Sequence, residues 1–190
     1  MTEPFAFVLA VIALLATPGP TNTLLLTSGA TAGGRSLLLI PAEIAGYLTS
    51  ILTIGYVVAP LTADFWQIKL ALRLFAAGYL AIVAFRLWRR APNLLVRDRL
   101  IRVRDVFVTT LLNPKALLFA LGIVPLQDPS ATWYLIVFCL LVGLIGASWI
   151  GIGMAIARGL LPEARRSLLP RAGAAVIAGF AGYLVLMPLT

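Results

Sequence analysis

The sequence of 190 residues is far more apolar than that of a soluble domain, because 61% of its residues are hydrophobic and only 12% are charged. Soluble domains have about 45–50% apolar and about 25% charged residues. This composition excludes an ordinary soluble domain and predicts a small integral membrane protein.

The charge and the rare residue types exclude further classes. A net charge of +8 would suggest a nucleic-acid partner in a soluble chain, but here the basic residues collect in a few short loops, so we expect a lipid membrane and no nucleic acid. With no histidine and one cysteine, histidine-based metal sites, histidine triads and internal disulfides are excluded. We expect no metal and no cofactor.

Six apolar segments are long enough to cross a membrane, which takes about 20 residues per helix. In chain order these predicted spans are 4–28, 37–61, 65–87, 106–126, 133–157 and 172–189. The fold expected from them is an all-α membrane protein with six transmembrane helices, in a single domain over residues 1–190.

The connections between the predicted spans alternate in charge. Twelve of the 15 basic residues lie in three connections, 33–36, 86–104 and 158–171. The connections near 62–64 and 127–132 contain none. The positive-inside rule therefore predicts cytoplasmic arginine-rich loops, with both termini on the opposite side. Binding of anionic lipids or of a partner is an alternative role for the loop 86–104.

Prolines interrupt the first and the fourth predicted span. The first break is Thr17-Pro18-Gly19-Pro20-Thr21-Asn22, and the second is Asn113-Pro114-Lys115. A proline inside a helix costs roughly 3 kcal/mol or more, so each helix is expected to end and restart near mid-membrane. Non-helical backbone is tolerated there only if it is buried in protein or lines a cavity. Paired breaks in two halves indicate a transporter's binding site, although prolines also kink helices for packing alone.

The two halves of the chain are expected to form an inverted repeat, since each has three spans. Repeat one covers about 4–88, a cytoplasmic loop about 89–104, and repeat two about 105–190. Asn113 suits a helix N-cap, and Pro114 and Pro20 suit the first helical position. Free N–H groups at the two restarted helices would favour an anion such as the carboxylate of an amino acid.

Four charged residues fall inside predicted spans, where a charge at the bilayer centre costs at least about 2.5–3.5 kcal/mol on insertion scales. Lys69 lies near a span end and can extend to the interface, whereas Arg73, Lys115 and Glu43 lie deeper. A buried acid needs a partner or a proton. Glu43 therefore either forms a structural ion pair with Arg73 or Lys115, or binds an amine or carries a proton.

The motifs resemble those of one known family. Residues 18–24, PGPTNTL, look like the PGP-x-N signature of the lysine exporter (LysE/RhtB-type) amino-acid exporters, and 112–116, LNPKA, are similar to their LNPK signature. Gly34-Arg35 resembles the glycine/arginine loop, and Arg73 with Tyr79-Leu80 resembles the third helix. The match runs in the correct order over most of the chain.

The resemblance implies an exporter of amino acids or similar small zwitterions in the bacterial inner (plasma) membrane, driven by the proton motive force. It also implies which residues form the functional core: Pro18, Gly19, Pro20, Asn22, Asn113, Pro114 and Lys115. Many members have Gly-Asp where this chain has Gly46-Tyr47, and an acid occurs one turn earlier, at Glu43. The chain thus resembles a divergent branch.

In the favoured hypothesis, the half-helix N-termini hold the carboxylate of a small zwitterion, together with Lys115 and Arg73. Glu43 and loose backbone carbonyls near Thr17 hold its ammonium. The rival from another class is a membrane scaffold or regulatory subunit that does not transport. We do not expect an enzyme, because nucleophile and base candidates are lacking, and no ring of filter residues indicates a channel. Homodimer formation and coupling to protons stay open.

Overall fold

The computed structural model of the protein describes residues 3–58, 60, 66–89 and 101–160, and in the C-terminal segment 174–175, 178–179, 181–182 and 185–186. All regular structure within these ranges is helical. The prediction of an all-α fold is therefore confirmed.

Seven α-helices are bounded within the described residues, and turns of other helix types extend three of them. The α-helices are α1 Pro4–Ala16, α2 Pro20–Ala32, α3 Ile40–Thr53, α4 Trp66–Arg89, α5 Val103–Leu111, α6 Pro114–Leu118 and α7 Ala131–Ala157. A 3₁₀ helix, Gly33–Leu39, joins α2 to α3, and π-helical turns follow α3 and α6 over Ile54–Val58 and Phe119–Ile123. The connection expected at 33–36 is thus itself helical.

Both proline-containing segments interrupt a helix, and in each case a proline opens the next one. Pro20 is the first residue of α2, and Pro114 is the first residue of α6. At the first helical position an N–H has no acceptor within the helix, so proline loses no hydrogen bond there. The fixed φ of proline also suits a helix start. The helical segments Val103–Leu111 and Pro114–Ile123 are bent by 46° relative to each other. That each break interrupts one span near mid-membrane stays a prediction.

The buried apolar residues form two clusters, and the two breaks lie where the chain passes from one cluster to the other. The first cluster takes residues from α1, α6 and the first half of α7, and it contains the edge-to-face rings of Tyr47, Phe119 and Phe138. The second takes residues from α2, α5 and the second half of α7, including Trp149 and Ile150. Because α1 and α2 belong to different clusters, the segment between them lies at their boundary, and so does the segment between α5 and α6.

Backbones approach closely where α2 crosses α7 and where α3 crosses α5. A Cβ on Gly153 of α7 would overlap the Leu26 carbonyl of α2, and a Cβ on Gly46 of α3 would lie 2.9 Å from the Phe107 carbonyl of α5. Glycine at these positions allows contacts that any side chain would prevent. These crossings fix where the residues of the two breaks meet.

Two helical stretches among the described residues, 20–58 and 131–157, are long and apolar enough to cross a membrane, and a third is added if the bent pair α5 and α6 counts as one span. Helix α7 also carries large apolar side chains on its outer face, since Ile136, Leu140 and Leu144 are at least half exposed. An exposed apolar stripe of this kind suits contact with lipid. The count of six spans and the inverted repeat stay predictions.

Candidate functional site

Most of the buried polar side chains of the described residues gather around the two breaks. They include Thr17, Thr21, Asn22, Glu43, Thr110, Asn113 and Lys115, each at most 4% exposed. Buried polar groups are costly unless they are hydrogen-bonded. A polar cluster between two apolar cores therefore needs an internal network of hydrogen bonds, and one is present.

At the first break, side chains cap the carbonyl end of α1. The Asn22 amide donates to the Leu15 and Thr17 carbonyls, both at 2.8 Å, and the Thr17 hydroxyl donates to the Ala13 and Leu14 carbonyls, also at 2.8 Å. The last carbonyls of a helix have no partner within it. The prediction of loose carbonyls near Thr17 is therefore wrong, because Asn22 folds back from α2 and binds them.

At the second break, Asn113 caps its own helix and reaches the first break. Its carbonyl oxygen accepts from the Lys115 backbone N–H at 3.0 Å, which confirms the predicted N-cap. Its amide donates to the Thr21 hydroxyl at 3.1 Å and to the Tyr47 hydroxyl at 3.4 Å. The Thr21 and Thr110 hydroxyls share a further hydrogen bond of 3.1 Å. Residues 66 to 92 positions apart in the sequence thus form one network.

Lys115 links the two breaks directly. Its side chain is 2% exposed, and its ammonium donates to the Thr17 carbonyl at the end of α1. The negative end of a helix dipole favours a cation. Gly19 lies against the same ammonium, because a Cβ there would be 3.3 Å from Nζ and 3.2 Å from Cε. In this state one of the three N–H donors of the Lys115 ammonium is bonded to the Thr17 carbonyl.

The N-termini of the two restarted helices differ. Asn113 caps α6, whereas Gly19 precedes α2 and no side chain caps that helix. The expectation of free N–H groups at both ends is therefore wrong for α6. At α2 no side chain accepts from the first N–H groups, and this buried end carries the positive pole of the helix dipole.

Glu43 lies on α3 at the edge of the same cluster, and it is 2% exposed. Its Oε2 has no hydrogen-bond partner among the described residues, and a Cβ on Gly146 of α7 would lie 2.6 Å from that oxygen. The carboxylate and the Lys115 ammonium attract each other electrostatically, yet the lysine bonds to Thr17 instead. The predicted direct ion pair between Glu43 and Lys115 is thus absent from this state.

The remaining predicted residues divide into those that shape the break and one that the structure does not describe. Pro18 and Gly19 lie in the non-helical turn after Thr17, Pro20 opens α2, and Pro114 is buried at the start of α6. The side chain of Arg73, on α4, lies outside the described residues. Its proposed role beside Lys115 and its ion pair with Glu43 stay predictions.

Sequence reasoning did not single out three members of the network: Thr21, Thr110 and Tyr47. Thr21 lies inside the first motif, and its position among the break residues was the available signal. Tyr47 stands where the resembled family has an acid, and its hydroxyl accepts from Asn113. Thr110 precedes the second motif in an ordinary apolar run, and no sequence pattern marks it.

Comparisons with known proteins found no matching family model, no matching curated protein and no matching solved structure. The likeness to the lysine exporter family rests on the motifs of the sequence and stays a prediction.

Proposed function

We propose that this protein is a secondary transporter that exports amino acids or similar small zwitterionic metabolites across the bacterial inner membrane, driven by the proton motive force. One observation carries the proposal. Two proline breaks from different halves of the chain meet in a buried polar network. This network contains the Lys115 ammonium and the Glu43 carboxylate, which form no direct ion pair. Irregular backbone at such a position marks the binding sites of secondary transporters.

The charges of the network suit a zwitterion. The uncapped N-terminus of α2 offers backbone N–H groups and a positive dipole end to a carboxylate. The Glu43 carboxylate offers a negative group to an amine, and the Thr17 carbonyl, which the Lys115 ammonium occupies in this state, offers a second one if the lysine moves away. Since Glu43 is the single buried acid among the described residues, a neutral amino acid fits better than a dibasic one.

Two helix crossings join the halves of the chain, because α3 packs against α5 through Gly46 and α7 packs against α2 through Gly153. They use different parts of the two broken spans, since α5 precedes its break and α2 follows its own. The inverted repeat therefore stays a prediction. In the proposed cycle one half rocks against the other, as in other transporters with broken helices.

The first experiment is efflux of a panel of labelled amino acids from proteoliposomes that contain the protein. We expect selective efflux of one or a few neutral amino acids, accelerated by a proton gradient. Glu43→Gln keeps the shape of the side chain and removes its charge, so we expect it to lower efflux at least tenfold. Glu3→Gln is the matched control, because Glu3 is exposed at the start of α1.

Two results would contradict the proposal. If Glu43→Gln transported like Glu3→Gln, Glu43 would not belong to the binding or coupling site. If the folded and inserted protein exported no amino acid, the transport function would be rejected, and the membrane scaffold would become the working hypothesis.

A further inference from the structure

We propose that Lys115 is a tethered cation that fills the amine-binding position of the transporter whenever substrate is absent, and that this allows the empty transporter to return for net export. The inference rests on the proposed function and deepens it. It assigns to Lys115 a positioning role in the transport cycle rather than a contact with the substrate carboxylate.

The end of α1 is built to bind an ammonium. The Thr17 carbonyl accepts from the Asn22 amide and from the Lys115 ammonium, at the negative end of a helix dipole. Carbonyl ends of half-helices bind the coupling cations in other transporters with broken helices. Here the bound cation is part of the chain, and it arrives from the second break, 98 residues away from Thr17 in the sequence.

A second negative group in the cluster can receive the ammonium when it leaves. The Glu43 carboxylate attracts the Lys115 ammonium, and its Oε2 has no hydrogen-bond partner among the described residues. If a substrate amine took the Thr17 carbonyl, Lys115 would move towards Glu43 without becoming an isolated buried charge. A buried charge without a partner is strongly disfavoured, so this alternative partner is what makes the exchange feasible.

Without the Lys115 ammonium, the carbonyl end of α1 would lack a cation, and Glu43 would need a proton to stay buried. The unpaired helix end and the need for that proton disfavour the empty state in a low-dielectric interior, so the transporter would change its facing direction mainly with substrate bound. It would then exchange substrate across the membrane but export little. Lys115 removes that restriction because it occupies the empty site itself.

The test uses the variant Lys115→Met, because methionine keeps much of the apolar stem and lacks the ammonium. Two modes of transport, net efflux and exchange, are compared in proteoliposomes. Net efflux is measured into buffer without amino acids, and exchange is measured with the same amino acids outside, using a radiolabelled mixture of the standard amino acids. We expect net efflux to fall at least tenfold relative to exchange. Arg104→Met, which removes an exposed cation from α5, should keep the ratio of the unaltered protein.

A second variant tests the same position while Lys115 keeps its charge. Gly19 has an extended backbone that any residue adopts, with φ −160° and ψ −179°. A methyl group there would lie 3.2 Å from Cε and 3.3 Å from Nζ of Lys115, so the lysine would have to shift by a few tenths of an ångström, which weakens its bond to the carbonyl. We therefore expect Gly19→Ala to lower the ratio of net efflux to exchange in the same direction as Lys115→Met, by a smaller factor. Gly19→Ala also provides the test of the inference if the Lys115→Met protein does not fold.

The outcomes separate the inference from the proposed function. If the unaltered protein performs neither mode, the proposed function fails, and the inference with it. If the unaltered protein transports but the variants lose both modes in proportion, or keep both, the tethered-cation role is overturned. Selective loss of net efflux supports it.

Discussion

At the scale of single residues, each break contains an asparagine, and the two asparagines stabilise their breaks by different hydrogen bonds. Asn113 acts as the N-cap of its own helix, which its position before Pro114 predicts. Asn22 lies inside α2 and folds back over the turn to donate to two carbonyls at the end of α1. The first role is local and readable from the sequence, whereas the second depends on the path of the turn.

Replacing Asn22 should destabilise the protein. Asn22→Ala leaves the Leu15 and Thr17 carbonyls buried with fewer donors, and an unsatisfied buried polar group costs about 1–3 kcal/mol. We expect a loss of that size in the free energy of unfolding, measured by denaturation of the detergent-solubilised protein. Thr31→Ala removes an exposed hydroxyl on the same helix, and it should change stability by no more than about 0.5 kcal/mol. Equal effects of the two substitutions would contradict this role of Asn22.

At the scale of helices, glycines decide how closely α2 and α7 pack. The sequence repeats small residues every four positions at Gly143, Ala147 and Gly151, which predicts close packing either within the monomer or at a dimer seam. In the structure a Cβ on Gly151 would meet nothing within 4 Å, and one on Gly143 would meet only Ile40, at 3.9 Å. The tight contacts are made by Gly146 and Gly153 on another face of the helix.

Two alanine substitutions on α7 should therefore have opposite effects on stability. Gly153→Ala would overlap the Leu26 backbone, and overpacking of this kind costs about 1–3 kcal/mol or more. Gly151→Ala points into open space, where alanine gains about 0.5–1 kcal/mol over glycine in a helix. The thermal midpoints of the two variants provide the measurement. Destabilisation by Gly151→Ala in a monomeric preparation would disprove this assignment of faces.

At the scale of the whole molecule, the two halves of the chain are joined through their breaks. Three hydrogen bonds cross from one half to the other. They join Thr21 to Thr110, Asn113 to Thr21, and Lys115 to the Thr17 carbonyl. If the halves move against each other during transport, these contacts have to open and close. The network is then both a structural link and part of the moving interface.

A double-mutant cycle measures this link. Thr21→Val and Thr110→Val each remove one hydroxyl and nearly conserve volume, and residues in contact show coupling energies of about 0.5–3 kcal/mol. We expect coupling in that range for the free energy of unfolding. Thr21→Val with Thr31→Ala is the control pair, since ten residues of helix separate them by about 15 Å, and their effects should add. Additivity of Thr21 and Thr110 would show that the halves are not coupled through this contact.

The helical class, the places where two helices end and restart, and the residues that open and cap the new helices can be predicted from the sequence alone. These features follow from local chemistry, because proline cannot continue a helix and asparagine can cap one. Glu43 and Lys115 were also predictable, since charged side chains in apolar runs need partners. Asn22 was selected by the resemblance of its motif to the lysine exporter signature.

The partners of these polar side chains depend on the tertiary structure. Lys115 bonds to the Thr17 carbonyl rather than to an acid, the Glu43 carboxylate lies against Gly146, and Thr110 joins the network without any sequence signal. The physical reason is that helix crossings set these distances. The crossings depend on backbone contacts at Gly46 and Gly153, which local periodicity does not encode.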